Sequence, residues 1–275
     1  MGTADPALVA EIHRRLTLIG TGPDGKQYIV FTMEEAEALA LLIIPVCAWK
    51  GGVGKSTLAF ELAWVLCAVL LDLDWDKGGV TKPWGYNADA RLRAPLLDAI
   101  ESGRTPRPLK GKLRPDLVPS HKDFGPNQPE ASAMTEMIIR WQADWGRAIV
   151  MDTHPGGVPA TYGALGAADF VVSPTVLKVA ELNACEDLCE ELQAYELMIV
   201  PNMVERVPPD FEIKRLKKMS ARFDVPVAPA ISEHKWLGHR NHRRMAVSAA
   251  NPVTKRSSGF CLELARVVKA MLKYV

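Results

Sequence analysis

The segment KGGVGKST, residues 50–57, limits the fold of this chain more than any other feature. It stands between a short apolar run, IIPVCAW (43–49), and a run with helical spacing, LAFELAWVL (58–66). A glycine-rich turn between a buried strand and a helix gathers backbone N–H groups at the positive end of the helix dipole, which is where phosphate oxygens bind. In that setting Gly51, Gly52, Val53 and Gly54 form the cradle and Lys55 reaches the β- and γ-phosphates. Ser56 offers its hydroxyl to Mg²⁺, and Thr57 supports the same turn. The general spacing G-x4-G-K-[ST] would put a glycine where Trp49 stands; the chain meets instead the stricter K-G-G-x-G-K-[ST], with a second lysine, Lys50.

Further apolar runs follow at 68–74, 147–152, 169–174, 197–202 and 225–231, and helical patterns fill the gaps, notably at 130–145 and 178–195. Strand alternating with helix predicts an α/β fold: a doubly wound, mostly parallel sheet flanked by helices, of the P-loop kind. Residues 1–42, with helical patterns at 6–19 and 33–42 around a turn at 20–27, read as an N-terminal helical extension to a domain at 43–275. That extension is too short for a helix-turn-helix domain plus linker. Three helix-to-strand junctions, 42–43, 66–67 and 196–197, carry almost no turn residues; either the turns there are unusually compact or residues are missing, and the expectation is missing residues, most of all at 66–67.

The 275 residues carry a formal net charge of +1, so contact with nucleic acid would need a local patch and not a generally basic surface. The five cysteines are an odd number without a CxxC pair, which fits reduced, buried thiols in a cytoplasmic protein. The N-terminus has no signal-peptide pattern, and no apolar run reaches the roughly 20 residues that span a bilayer.

The double-lysine loop, followed by the ordered motifs below, resembles the deviant Walker A ATPases of the ParA/MinD superfamily, over residues 43–275. The resemblance implies an ATP/ADP-binding, Mg²⁺-dependent ATPase in which Lys50 crosses a homodimer interface to the partner's nucleotide and Lys55 serves its own. In LLDLDWDKGG (70–79) it implies that Asp74 orients or activates the attacking water and that Asp72 lies near Mg²⁺; alternate strand positions put both on one face. The family usually continues with proline and glutamine, where this chain has Trp75 and Asp76. GGVTK (78–82) resembles the loop that responds to the γ-phosphate. AIVMDTHPGG (148–157) resembles the Walker B strand, with Asp152 as a Mg²⁺ holder and His154 at a position usually small or apolar, where a structural or supporting role is expected. The strands ending in these acids are expected to flank the strand that feeds the loop. Asn202 matches the adenine-reading position, and 228–236 matches another adenine-side loop.

Two cationic stretches stand out: 213–222, and HKWLGHRNHRR (234–244) with Lys235, Arg240, Arg243 and Arg244 and no acid. ParA-type proteins bind DNA non-specifically through such a surface in the ATP-bound dimer, so these four are the expected DNA contacts. The amphipathic segment 259–275 is expected to pack on the domain instead of anchoring to a membrane as a MinD-like helix does. The resemblance implies plasmid or chromosome partition, a nucleoid-associated cytoplasmic location, and a ParB-type adaptor that stimulates hydrolysis. A MinD-like membrane-cycling ATPase is the alternative, and a metabolic ligase or iron protein on the same fold is a third class.

Overall fold

The computed structural model describes residues 3–76, 79–88, 94–238, 245–251, 253–273 and 275. Its strands are β1 (Ile43–Val46), β2 (Val69–Asp72), β3 (Asp116–Val118), β4 (Ile149–Asp152), β5 (Val171–Thr175) and β6 (Leu197–Pro201). They form one six-stranded sheet in the order β3-β2-β4-β1-β5-β6, with every pairing parallel. Such a sheet is covered on both faces, and its strands are buried at nearly every position. Alternation along the strands divides their side chains between two layers. Ile44, Val46, Leu70, Val150, Val172, Met198 and Val200 enter a core with α1 (Pro6–Gly20), α2 (Met33–Leu39), α3 (Lys55–Val65) and α11 (Ser258–Met271). The intervening residues enter two further clusters. Ile43, Val69, Leu71, Ile149 and Met151 join α5 (Pro95–Ser102), α6 (Ala131–Trp145) and α7 (Pro159–Gly166); Val171, Leu197 and Ile199 join α8 (Val179–Glu191) and α9 (Asp210–Phe223).

Three sequence expectations are corrected. The strand at 116–118 has no counterpart among the expected runs, because three residues beginning at an aspartate carry no periodic signal. Residues 225–231 form no sheet strand: they run beside β6 through isolated hydrogen bonds such as Ile199 N–H to Pro226 O (2.9 Å) and Ile231 N–H to Pro201 O (2.8 Å). Pro226 and Pro229 lack the N–H a continuous ladder needs. And β2 does not touch β1. β4 lies between them, with Asp152 opposite both Val46 and Asp72.

The junctions expected to lack residues close as compact turns. Helices end earlier than their apolar pattern suggests, at Leu39, Val65 and Glu191, which releases residues for the reversals. At 66–67 the reversal rests on Cys67 in the left-handed region (φ 51°), with Cys67 N–H donating to Trp64 O and Ala68 N–H to Ala63 O. Glycine is the usual occupant of that conformation.

The N-terminal helix shares the core of the domain. Val9, Ile12, Leu16 and Ile19 of α1 are buried with Leu58 and Leu62 of α3 and with Leu264 and Val268 of α11. Arg15 donates to Trp64 O (2.6 Å) and lies over the Trp64 ring. The apolar face of α11 is thereby buried on the body of the domain, and among the described residues no helix is long and apolar enough to cross a membrane. All five cysteines are free and buried; burial pushes the Cys47 and Cys261 thiols up to about 12.

Glu61, in the middle of α3, is a buried acid with a structural task. Its carboxylate accepts Val247 N–H (2.7 Å), Ser248 N–H (3.1 Å) and the Ser248 hydroxyl (2.6 Å), fastening the turn 247–249 to the helix that follows the glycine loop. Glu61→Ala strands these buried donors. At about 1–3 kcal/mol for each unsatisfied group, relaxation leaves a net loss of about 3 kcal/mol. The melting temperature should fall by roughly 6–12 °C, as measured by calorimetry against the wild type.

Candidate nucleotide site

β1 ends at Val46, and the loop carries the chain to α3, which starts at Lys55. Gly52 (φ 81°) and Gly54 (φ 92°) take left-handed conformations that only glycine adopts easily, which explains their place in the pattern. Gly54 is the N-cap of α3 and provides no side-chain cap, so the first N–H groups of the helix are left for an external acceptor. Lys55 is buried (6% exposed) at the same point. A cleft of about 710 Å³ opens here, lined by Gly51, Gly52, Gly54, Lys55, Ser56 and Asp74 on one side and by residues from 231–238 on the other. That volume suits a nucleotide-sized ligand.

The acids gather at the carboxyl ends of β2 and β4, where ligands bind in open parallel sheets. Asp152 is fully buried, and neither carboxylate oxygen has a hydrogen bond of normal geometry among the described residues. Burial and then the charge of Asp72 push its carboxyl up; the nearby Ser56 hydroxyl and the Lys55 ammonium pull it down. A buried carboxylate beside a serine hydroxyl and a lysine suits a divalent cation, so Ser56 and Asp152 fit Mg²⁺.

Asp72 is differently occupied. Its Oδ1 accepts Asp74 N–H (3.0 Å), and its Oδ2 accepts both the N–H and the hydroxyl of Thr81. Burial raises this carboxyl too. Asp72 therefore holds Asp74 N–H and the first residue of α4 (Thr81–Trp84). Gly79 allows the approach, since a Cβ there would come within 2.5 Å of Asp74 O and 2.9 Å of Asp72 Oδ1.

Asp74, 5% exposed, lines the cleft, and its Oδ1 accepts from His154 Nδ1 (3.0 Å) and Asp76 N–H (3.1 Å). Asn202 also reaches the cleft, but its amide has a task that sequence matching missed: Nδ2 donates to Val53 O (2.8 Å), pinning the glycine loop to β6. The segment 228–236 supplies the far wall, held by Glu263, which accepts from Ser232 (2.6 Å) and pairs with His234 (2.7 Å). Lys235, expected at a DNA surface, is exposed at the rim of this cleft. Arg240, Arg243 and Arg244 lie outside the described residues.

The two lysines of the loop are separated by their surroundings. Lys55 is buried at the cleft, whereas Lys50 is exposed and lines a different, small hollow with Trp49, Glu181 and Leu188. Trp49 itself is held: its Nε1 donates to Glu191 (2.8 Å), and its ring meets Tyr162 edge-on, with Tyr162 hydroxyl bonded to the same Glu191. The exposed Lys50 thus follows directly on an anchored tryptophan.

A parallel sheet with a lysine-bearing glycine loop at the end of a central strand, and acids at the ends of two others, defines a P-loop nucleotide-binding protein. Comparison with known proteins narrows the class. The chain is 29% identical to the chromosome-partitioning ATPase Soj of Thermus thermophilus over 164 residues, 56% of this chain and 62% of that protein. The match thus spans less than two thirds of the relative. In fold the chain is similar to a plasmid partition protein from Borrelia burgdorferi B31 bound to AMPPNP (TM-score 0.63, 18% identity, 85% of this chain and 99% of that one). It is also similar to the MinD cell division protein of Aquifex aeolicus (TM-score 0.62, 19% identity, 83% and 95%). No family model matches. The fold is that of the ParA/MinD-type ATPases, as the loop and the ordered acids imply.

Proposed function

We propose that this chain is a ParA-type ATPase that dimerises around ATP, binds DNA without sequence preference as the ATP dimer, and lets go after hydrolysis. The observation that carries the reading is the division of labour in one loop: Lys55 buried at the cleft, Lys50 exposed away from it. An exposed lysine that does not line its own chain's cleft is suited to serve a neighbour's nucleotide. The similarity to a chromosome-partitioning ATPase and to a plasmid partition protein supports partition as the task.

In this reading the loop amides and Lys55 hold the β- and γ-phosphates, the region 231–238 encloses the base side, and Asp74 orients the water. Ser56 and Asp152 would hold Mg²⁺, which neutralises phosphate charge when bound. Lys50 supplies charge to the partner's phosphates, so the dimer forms only around a triphosphate. A ParB-type adaptor accelerates hydrolysis, and cations at 234–244 contact DNA phosphates from both subunits. The burial of the apolar face of α11 in the core favours DNA over a membrane as the surface bound.

The test is DNA binding by the purified protein without nucleotide, with ADP and with ATP, at two salt concentrations. Only the ATP state should bind, and affinity should fall steeply with salt. Arg240→Glu should weaken DNA binding at least about tenfold and leave ATP affinity unchanged. Binding to anionic vesicles but not DNA would replace this reading with the MinD-like one.

A further inference from the structure

We infer that His154 is a positioning residue that sets the rotation of the Asp74 carboxylate, and that Trp75 holds His154 in place. The inference rests on the ATPase reading above, in which Asp74 meets the attacking water. His154 Nδ1 lies 3.0 Å from Asp74 Oδ1. A carboxylate only accepts, so Nδ1 carries the hydrogen. Asp76 N–H donates to the same oxygen (3.1 Å). Two donors on one oxygen fix the turn of the carboxylate about its Cβ–Cγ bond. Oδ2 has no hydrogen bond among the described residues and is the oxygen left for a water in the cleft that Asp74 lines.

The imidazole is itself clamped. The Trp75 ring stacks on it, with centroids 4.1 Å apart and planes 11° from parallel. Trp75 in turn meets the buried Phe124 edge-on at 5.9 Å. A Cβ at Gly125 would come within 2.6 Å of the Trp75 Nε1, so that glycine leaves room for the indole. Trp75-Asp76 and His154 are the two places where the motifs depart from the pattern they otherwise resemble, and here they meet. An unusual residue after β2 and an unusual residue after β4 form one device, and both act on Asp74.

Two variants separate the hydrogen bond from the stacking. His154→Phe keeps a ring against Trp75 and removes the donor; His154→Asn keeps an N–H near the position of Nδ1 and removes the ring. For ATP turnover, His154→Phe should lower kcat roughly ten- to a hundredfold with KM within about twofold. His154→Asn should recover most of that loss. In an Asp74→Ala background, His154→Phe should cost nothing further, because its effect runs through Asp74. A second readout needs no nucleotide: with ¹⁵N-histidine labelling, a slowly exchanging His154 Nδ1–H signal should be present in the wild type and absent in Asp74→Ala. Normal kcat in folded His154→Phe, or His154→Asn as slow as His154→Phe, overturns the inference, and so does absence of the signal in the wild type. A wild type that turns over no ATP overturns the ATPase reading instead, and the Nδ1–H signal then decides whether the latch exists.

Discussion

Lys50→Ala is expected to bind ATP nearly as well as the wild type and to stay monomeric in its presence. The lysine is exposed and outside the cleft of its own chain, so its loss removes little from the monomer's site. The dimer is another matter. Closing two subunits over two nucleotides brings about four negative phosphate charges per site into a poorly solvated seam. One cation near 4 Å from such a charge is worth about 4 kcal/mol at the effective dielectric of a protein surface. Two-fold symmetry loses that interaction twice. Even after generous allowance for screening, the dimer should weaken by three orders of magnitude or more. Sizing chromatography with light scattering, using a slowly hydrolysed ATP analogue, reads this directly. A wild-type dimer from Lys50→Ala would remove the basis for a shared-nucleotide interface.

Gly54→Val is expected to abolish nucleotide binding while the domain stays folded. At φ 92° a β-branched side chain is strained by about 1–3 kcal/mol, before any collision is considered. The collision is close: a Cβ at this position would lie 2.2 Å from Asn202 Nδ2. Asn202 cannot swing away without giving up its bond to Val53 O, a further 1 kcal/mol or so. The loop will relieve both strains by changing its path, and with that path go the N–H groups aimed at the cleft. Calorimetric titration with ADP should show at least a hundredfold loss of affinity. Gly146→Ala serves as the control. Gly146 also has positive φ (60°), as the C-cap of α6, and a Cβ added there would meet nothing within 4 Å. It should cost about 1 kcal/mol of stability and no nucleotide affinity.

The phosphate loop could be read from the residues because its chemistry is local. Positive-φ glycines, a lysine and a hydroxyl stand within eight residues, and each does its work where the chain puts it. The strand that leads to Asp74 and the strand that ends at Asp152 were legible for a related reason, since a fully buried parallel strand is read from an unbroken apolar run. What could not be read depends on partners distant in sequence. Asn202 has its acceptor on Val53, and His154 meets Asp74 across 80 residues. Glu61 looks like an ordinary helix acid until the 247–249 turn folds onto it. The helix ends fall short of the apolar pattern because Ala40–Leu42 and Leu66 are apolar enough to continue a helix, while burial drives the chain into a turn there. Pro226 and Pro229 are visible in the segment that reads as a further strand, and their missing donors decide against it.

The place of β4 between β1 and β2 has a consequence for how this kind of protein tolerates change. Asp152 stands level with Val46 on one side and Asp72 on the other because three backbones are in register. The ladder works as a ruler: main-chain groups common to every residue set the height of the loop and the acids, and few side chains are needed to hold those positions. A one-residue slip would turn Asp152 to the opposite face of the sheet, so the register is guarded by the whole apolar core. Around that ruler nearly everything else is free to drift. Proteins with 18% and 19% identity to this chain can therefore share its architecture, and residues just past the strands, such as Trp75 and His154, can change as a contact pair without moving the strands that precede them.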